Sequence, residues 1–252
     1  TVAQVAANLV LSDSTLTFAS LASTTQLTAT VTDANGETVS GATVTWTTSS
    51  SLVATVSSAG LVTAVAAGLA TITATAGTLF ASAQVTVLPL SVTYGSLPAG
   101  FTSTPYTHTL EASGGNGSYE WLMISGALPL GLTLSTGGTI SGTPTVTGES
   151  TFSVEVRSGD GQAATAQRSI TVQVPLQITT TSLPGVLVNS SYDESLAAFG
   201  GDSPYTWSVI TGSLPSGLSF SPSNGRITGT ATTVGSSTFT LQVRDTAGQT
   251  VS

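Results

Sequence analysis

The 252-residue chain has no cysteine and no lysine, a single histidine, a single methionine and four arginines. Without cysteine there is no disulfide framework, no thiol nucleophile and no Cys-based metal site. Without lysine there is no Schiff base, no P-loop lysine and no Lys–Asn isopeptide staple. One histidine leaves no room for a His-ligated metal centre. Charge itself is scarce: 6 % of the residues are charged, against roughly a quarter in an average soluble domain. The net charge of −8 therefore reflects missing cations and not an acidic coat. With no basic cluster, nucleic acid and an anionic membrane surface are excluded as partners. No apolar run approaches the length of a membrane-spanning helix, so no membrane insertion is expected. Thr1-Val2-Ala3-Gln4 lacks a charged n-region followed by an apolar segment, so no signal peptide is expected there.

What fills the chain is β-branched. Hydrophobic residues reach 40 %, Ser and Thr together make up about a third, and 27 glycines punctuate them. That apolar content is enough to bury real cores, so low charge does not mean disorder. Alternation with period two dominates, as in Leu27-Thr28-Ala29-Thr30-Val31-Thr32, Thr43-Val44-Thr45-Trp46-Thr47, Thr71-Ile72-Thr73-Ala74-Thr75 and Ala83-Gln84-Val85-Thr86-Val87. Apolar residues on one face and Thr on the other mark half-buried antiparallel strands. Turn signals such as Asp33-Ala34-Asn35-Gly36, Ser57-Ser58-Ala59-Gly60 and Ala66-Ala67-Gly68 separate them. No segment keeps a helical period. The fold class is all-β, with short strands spaced as in an Ig-like sandwich.

The second and third parts of the chain repeat one another. Leu97-Pro98 returns as Leu183-Pro184, Tyr106 as Tyr192, Gly114-Gly115 as Gly200-Gly201 and Ser118-Tyr119-Glu120-Trp121 as Pro204-Tyr205-Thr206-Trp207. After an insertion near Asn224, Ile140-Ser141-Gly142-Thr143 matches Ile227-Thr228-Gly229-Thr230, and Val156-Arg157 matches Val243-Arg244. Three units are expected: residues 1–88 (with 1–8 as an N-terminal extension), 89–174 and 175–252. Their junctions, Val87-Leu88-Pro89-Leu90 and Val174-Pro175-Leu176, are short and Pro-stiffened, which predicts a semi-rigid rod. At about 3.3 Å per strand residue, three sandwiches in line span roughly 100 Å. The third unit is expected to lack its last strand, because Gly248-Gln249 is followed only by Thr250-Val251-Ser252 where the second unit has the long Ala166–Val174 run. Such an open edge invites a partner strand, either from a continuing chain or from a neighbouring subunit. Thr1 to Asn8 would then be the candidate donor.

The first unit resembles the bacterial Ig-like group 2 family (BIG2), found in intimin- and invasin-type surface proteins. Gln26–Asp33, Ala42-Thr43-Val44-Thr45-Trp46, Gly60-Leu61-Val62-Thr63-Ala64 and Gly68–Ala74 carry that resemblance. The two repeats resemble the He_PIG family of Ig-like domains, related to dystroglycan-type cadherin-like domains. Here the residues are Leu183-Pro184, Tyr192, Gly200-Gly201, Pro204-Tyr205-Thr206-Trp207, Leu214-Pro215-Ser216-Gly217-Leu218, Gly225 and Ile227-Thr228-Gly229-Thr230. Ser118 stands where the family favours Pro. The resemblance implies extracellular bacterial or phage proteins in which such modules are stalks, spacers or adhesive tips, without enzyme activity.

The residues that carry chemistry elsewhere read as structural here. His108 has Glu194 at its repeat position, which suits a sandwich rim. No serine lies in a nucleophile elbow beside a base. The carboxylates Asp33, Glu37, Asp160, Asp202 and Asp245 fall in predicted turns and are expected to be solvated; calcium between units is the alternative, although no clustered Asp run supports it. Trp46, Trp121 and Trp207 occur once per unit and are expected at the centre of each sandwich, with a glycan-stacking platform as the alternative. Tyr119 and Tyr205 alternate with two of them and should pack nearby. Asn116-Gly117-Ser118 and Asn189-Ser190-Ser191 are formal glycosylation sequons, the first equally a turn. Arg157 and Arg244 are expected to pair with Asp160 or Asp245. No catalytic, cofactor or metal residue is assigned. The expected function is a non-catalytic extracellular stalk or adhesion module, on a cell or a virion, whose partner is a protein or glycan on a surface. A strand-donated filament subunit and a carbohydrate-binding segment of a secreted enzyme are the alternatives.

Overall fold

A computed structural model describes residues 4–93 and 95–252, and among these there is no helix. The strands form three successive groups of sheets. In the first, Thr15–Phe18, Leu79–Val87, Gly68–Ala76 and Thr45–Thr48 lie side by side in that order, facing a smaller sheet of Thr24–Gln26, Leu61–Ala64 and Ala54–Val56. Gly68–Ala76 and Leu79–Val87 pair antiparallel along their whole length, whereas Thr15–Phe18 runs parallel to Gln84–Val87. The alternation of the sequence is spent as expected: Ala70, Ile72, Ala74, Ala83, Val85 and Val87 point inward and are buried. Thr71, Thr73, Gln84 and Thr86 take the alternate, outward positions.

The second group repeats this plan. Gly100–Phe101, Ala163–Gln173, Gly148–Ser158 and Tyr119–Gly126 form one sheet, and Tyr106–Thr109, Thr139–Gly142 and Leu132–Leu134 the other. Gly100–Phe101 again pairs parallel, with Val172–Gln173. The core between the sheets holds Trp121, Ile140, Phe152, Val154, Val156, Ile170 and Val172. In the third group Ser191–Ser195, Arg226–Thr230 and Leu218–Ser221 reproduce the smaller sheet, and Thr206–Gly212, Phe239–Arg244 and Thr250–Val251 the larger. Even an irregularity recurs: the register slips between Met123 and Ser125 and again between Val209 and Thr211. Thr250–Val251 pairs with Phe239–Arg244 at two positions only, where the second unit's hairpin pairs at ten.

Two local expectations need correction. The stretch 27–32 is not one continuous strand: Leu27 and Thr28 lie between two strands, Thr24–Gln26 and Ala29–Thr32, that belong to different sheets. Between them fully buried Leu27 donates its N–H to the Gly60 carbonyl, and Thr28 accepts from Ser12, so the chain steps across the sandwich there. Secondly, Ala6, Ala7 and Asn8 are not a spare arm. Ala6 packs on the first unit's core, Ala7 N–H bonds the Thr32 carbonyl, and Asn8–Leu11 pairs with Ala29–Thr32. Of the rest of the proposed donor segment, Gln4 and Val5 are exposed, and Thr1 to Ala3 lie outside the described residues.

Candidate functional site

Each unit is built around a tryptophan and a glycine. Trp121 and Trp207 are 3 % and 5 % exposed, and Trp46 is half-buried between two core clusters. Serine-initiated turns bring Gly60, Gly138 and Gly225 over these three indoles. Ser57 Oγ accepts from Leu61 N–H at 3.1 Å, and Ser135 Oγ from Thr139 N–H at 3.0 Å. In the third unit the turn is one residue longer, and Asn224 Oδ1 accepts from Arg226 N–H instead. The tyrosines predicted beside the tryptophans are tethered identically: Tyr119 O–H donates to the Gly114 carbonyl at 2.6 Å, and Tyr205 O–H to Gly200 at 2.7 Å. These aromatics are therefore held inward, which leaves little ring surface for a sugar to stack on.

His108 is half-buried and lies with Glu111 and Arg168 on a small cleft of about 190 Å³. Arg168 takes an inward-facing position opposite Phe152, and its guanidinium donates to the Gln167 and Thr93 carbonyls. A larger cleft of about 630 Å³ in the third unit is lined by Thr, Ser and aliphatic side chains together with Gln177 and Phe239, with no titratable side chain among them. Burial pushes the Tyr106 and Tyr192 hydroxyls above their ordinary range, with Glu194 adding to the effect at Tyr192, so both stay protonated at neutral pH. Among the described residues no cluster of three or more His or acidic side chains is placed to hold a metal ion.

The turn carboxylates divide by role. Asp33 closes its own turn, accepting from Asn35 and Glu37 N–H. Asp245 is not solvated as expected: it is 4 % exposed and accepts from the backbone of Asp202 and Gln249 and from the Gln249 amide. Ser158 stands at the same place in the second unit, bonded to Asn116, so a neutral pair and a charged one do the same bracing. Asn116 also accepts from Ser118 N–H, the turn role its sequon allows. Neither Asp160 nor Asp245 pairs with Arg157 in this arrangement. Arg157 pairs instead with Glu155, two residues back on the same face of its strand, and Arg226 pairs with Asp193 across the sheet.

Asp160 does what the sequence gave no sign of. Its Oδ2 accepts the Leu21 N–H of the first unit at 2.8 Å, 139 residues away in the chain. Beside it Gln162 donates to the Ala19 carbonyl at 3.3 Å and accepts the Leu90 N–H at 2.9 Å. Partial burial by itself would raise the Asp160 pKa, but hydrogen bonds from Gln162, the Leu21 backbone and Ser158 outweigh it and hold the carboxyl well below the usual range. At the next junction Gln173 Nε2 donates to Asp202 Oδ1 at 2.6 Å, while the amide oxygen of Gln173, Oε1, is buried without a partner.

The profile of the family described as "Putative Ig domain" (He_PIG) matches residues 91–175 and 174–252, more than half of the chain. The chain belongs to the He_PIG family. Its two He_PIG domains follow a Bacterial Ig-like domain (group 2) at residues 12–87, the order the sequence predicts. No curated protein matches the chain. Among solved structures it is similar to the N-terminal eight Ig domains of Down Syndrome Cell Adhesion Molecule, at 14 % identity and TM-score 0.44, over 96 % of this chain and 41 % of that one. It is also similar to domains 3–5 of Drosophila OTK, at 11 % identity and TM-score 0.40, over 98 % and 97 % of the two chains. A crystal structure of an α-galactosidase homologue from Bacteroides fragilis matches at 25 % identity and TM-score 0.30 over 33 % of this chain. The chain spans less than half the length of the first three structures it matches. He_PIG and group 2 Ig-like domains are generally non-catalytic and typical of extracellular or surface proteins, which supports an adhesion or spacer role in general.

Proposed function

We propose that this He_PIG protein is a non-catalytic stalk or spacer of an extracellular surface protein, holding a binding element away from a cell or virion. The observation that carries the reading is the closeness of the units. The strand ending at Val87 is followed by Leu88 and Pro89, and Leu90 is already buried in the next core. Leu88 N–H is held by the Phe18 carbonyl at 2.8 Å, so even this two-residue step is tied down. Uncharged Ser and Thr cover the strands, which limits nonspecific ionic contacts. Its ultimate partner is a protein or a glycan on a surface.

The test is light-scattering mass with negative-stain imaging of the chain, with and without EDTA. The stalk reading expects a monomer seen as a rod of roughly 100 Å, unchanged by EDTA. Compact particles would refute it. Ordered filaments would favour assembly through the Phe239–Arg244 edge instead. Collapse in EDTA would show a structural cation.

A further inference from the structure

We infer that the two joints of the rod are unequal: the Ser158–Gln162 turn of the second unit clasps the first unit and locks that joint, while the joint between the second and third units is a hinge. This goes beyond the stalk reading and does not depend on it, because it concerns only which units move against each other. At the first joint two side chains, Asp160 and Gln162, engage two backbone groups of the first unit, the Leu21 N–H and the Ala19 carbonyl. A donor and an acceptor held at separate points resist rotation in a way one contact does not. The clasp is also cross-braced, since Gln162 Nε2 donates to Asp160 Oδ2 at 3.0 Å and Gln162 Oε1 takes the linker's Leu90 N–H. One amide therefore ties the first unit, the linker and its own turn together. The depressed pKa of Asp160 is the electrostatic counterpart of this geometry, because the Gln162, Leu21 and Ser158 donors all favour its charged form.

At the second joint, among the described residues, the side-chain hydrogen bond that crosses is Gln173 to Asp202. Beside it the Gly201 N–H donates to the Val174 carbonyl at 2.9 Å, so the third unit is held at two adjacent residues of one strand end, a narrower attachment than the clasp and one about which it can turn. This joint also leaves Gln173 Oε1 buried and unpartnered, and a buried unsatisfied acceptor carries a desolvation penalty. Orientations that expose this oxygen to water relieve that penalty.

The natural absence of cysteine makes the test direct, since introduced cysteines are then the only thiols for spin labels. Ser58, Ser125 and Ser213 are exposed, one in each unit. Electron–electron distance distributions are measured for the full chain carrying Ser58→Cys with Ser125→Cys, and Ser125→Cys with Ser213→Cys. The expected result is a narrow distribution across the first joint and a broad one across the second. Adding Asp160→Ala and Gln162→Ala is expected to broaden the first to match the second, while Asp160→Asn with Gln162 intact, which keeps an acceptor for Leu21, retains the narrow one. Urea unfolding of each variant monitors the units themselves, so that a folding defect is not read as a loosened joint. Equal widths in the unaltered chain overturn the inference. So does a double Ala variant that unfolds normally yet keeps the narrow distribution.

Discussion

Gly138→Ala tests whether the indole–glycine contact is what fixes the interior of the second unit. Gly138 has φ +87°, and a Cβ built on it would sit 2.6 Å from Trp121 Nε1 and 2.7 Å from its Cδ1. The indole cannot retreat, because Trp121 is 3 % exposed and packed in the main core cluster. Nor can the turn shift freely, since Leu110 N–H donates to the Gly138 carbonyl and Gly138 N–H to Ser135. A left-handed backbone costs an L-residue roughly 1–2 kcal/mol, and forcing an extra carbon into a packed core costs about 1–3 kcal/mol. The expected loss is therefore about 2–5 kcal/mol, a large fraction of the roughly 5–15 kcal/mol that holds a typical domain together. Gly137→Ala is the control. Its Cβ would meet only Ser135 Oγ at 3.9 Å, its φ is outside the left-handed region, and so it is expected to stay within about 0.5 kcal/mol. Hydrogen exchange by mass spectrometry, read separately over the three units in increasing urea, assigns any loss to its unit. The reasoning fails if Gly138→Ala protects the second unit as well as Gly137→Ala does, or if all three units lose protection equally.

Other expectations are simpler to check. Trp121→Ala should destabilise the second unit by about 3–5 kcal/mol through lost burial and the cavity left behind, measured by the same exchange profile. Tyr119→Phe and Tyr205→Phe each remove one O–H donor to a glycine carbonyl, and should cost about 0.5–1.5 kcal/mol in their own units and by similar amounts, read from urea midpoints. Asp160 is depressed in the folded chain, so its contribution is fully present above the ordinary carboxyl pKa of about 3.9 and is lost only as pH falls further, through the folded value. Distances between labels across the first joint should hence hold from neutral pH to about pH 4; spreading between pH 7 and 5 would contradict the assignment. Arg157→Gln breaks an exposed pair with Glu155 and should leave the melting temperature unchanged.

Much of this architecture was legible because it is local. Period-two alternation marked the strands that carry Ile72, Val85 and Val87, and the 86- and 87-residue offsets placed Trp121 and Trp207 at equivalent positions. The Ser57–Gly60 turn was visible as a turn, but its purpose was not, because nothing in the spacing says that Gly60 lies on Trp46. The break at Leu27-Thr28 escaped notice because those residues alternate as well as their neighbours; the switch of sheets is dictated by the Gly60 carbonyl, more than thirty residues away. Burial of Asp245 was hidden by its type, and only its repeat partner Ser158, already small and neutral, hinted at an interior brace. The clasp at Asp160 was the least legible feature. It exists only once two independently folded units are docked, and its partners on the first unit are backbone groups that no side-chain pattern announces.

The parallel pairings have a mechanical consequence. Tension along the chain draws Thr15–Phe18 backward and Gln84–Val87 forward, so their four paired positions are loaded in shear and must yield together, not peel one after another. The corresponding seam of the second unit, Gly100–Phe101 on Val172–Gln173, has only two. Forced unfolding is governed by the barrier to rupture and not by equilibrium stability. Of these two units, pulled in series, the one with the shorter seam should therefore give way first, lengthening the tether while the first unit still bears the load.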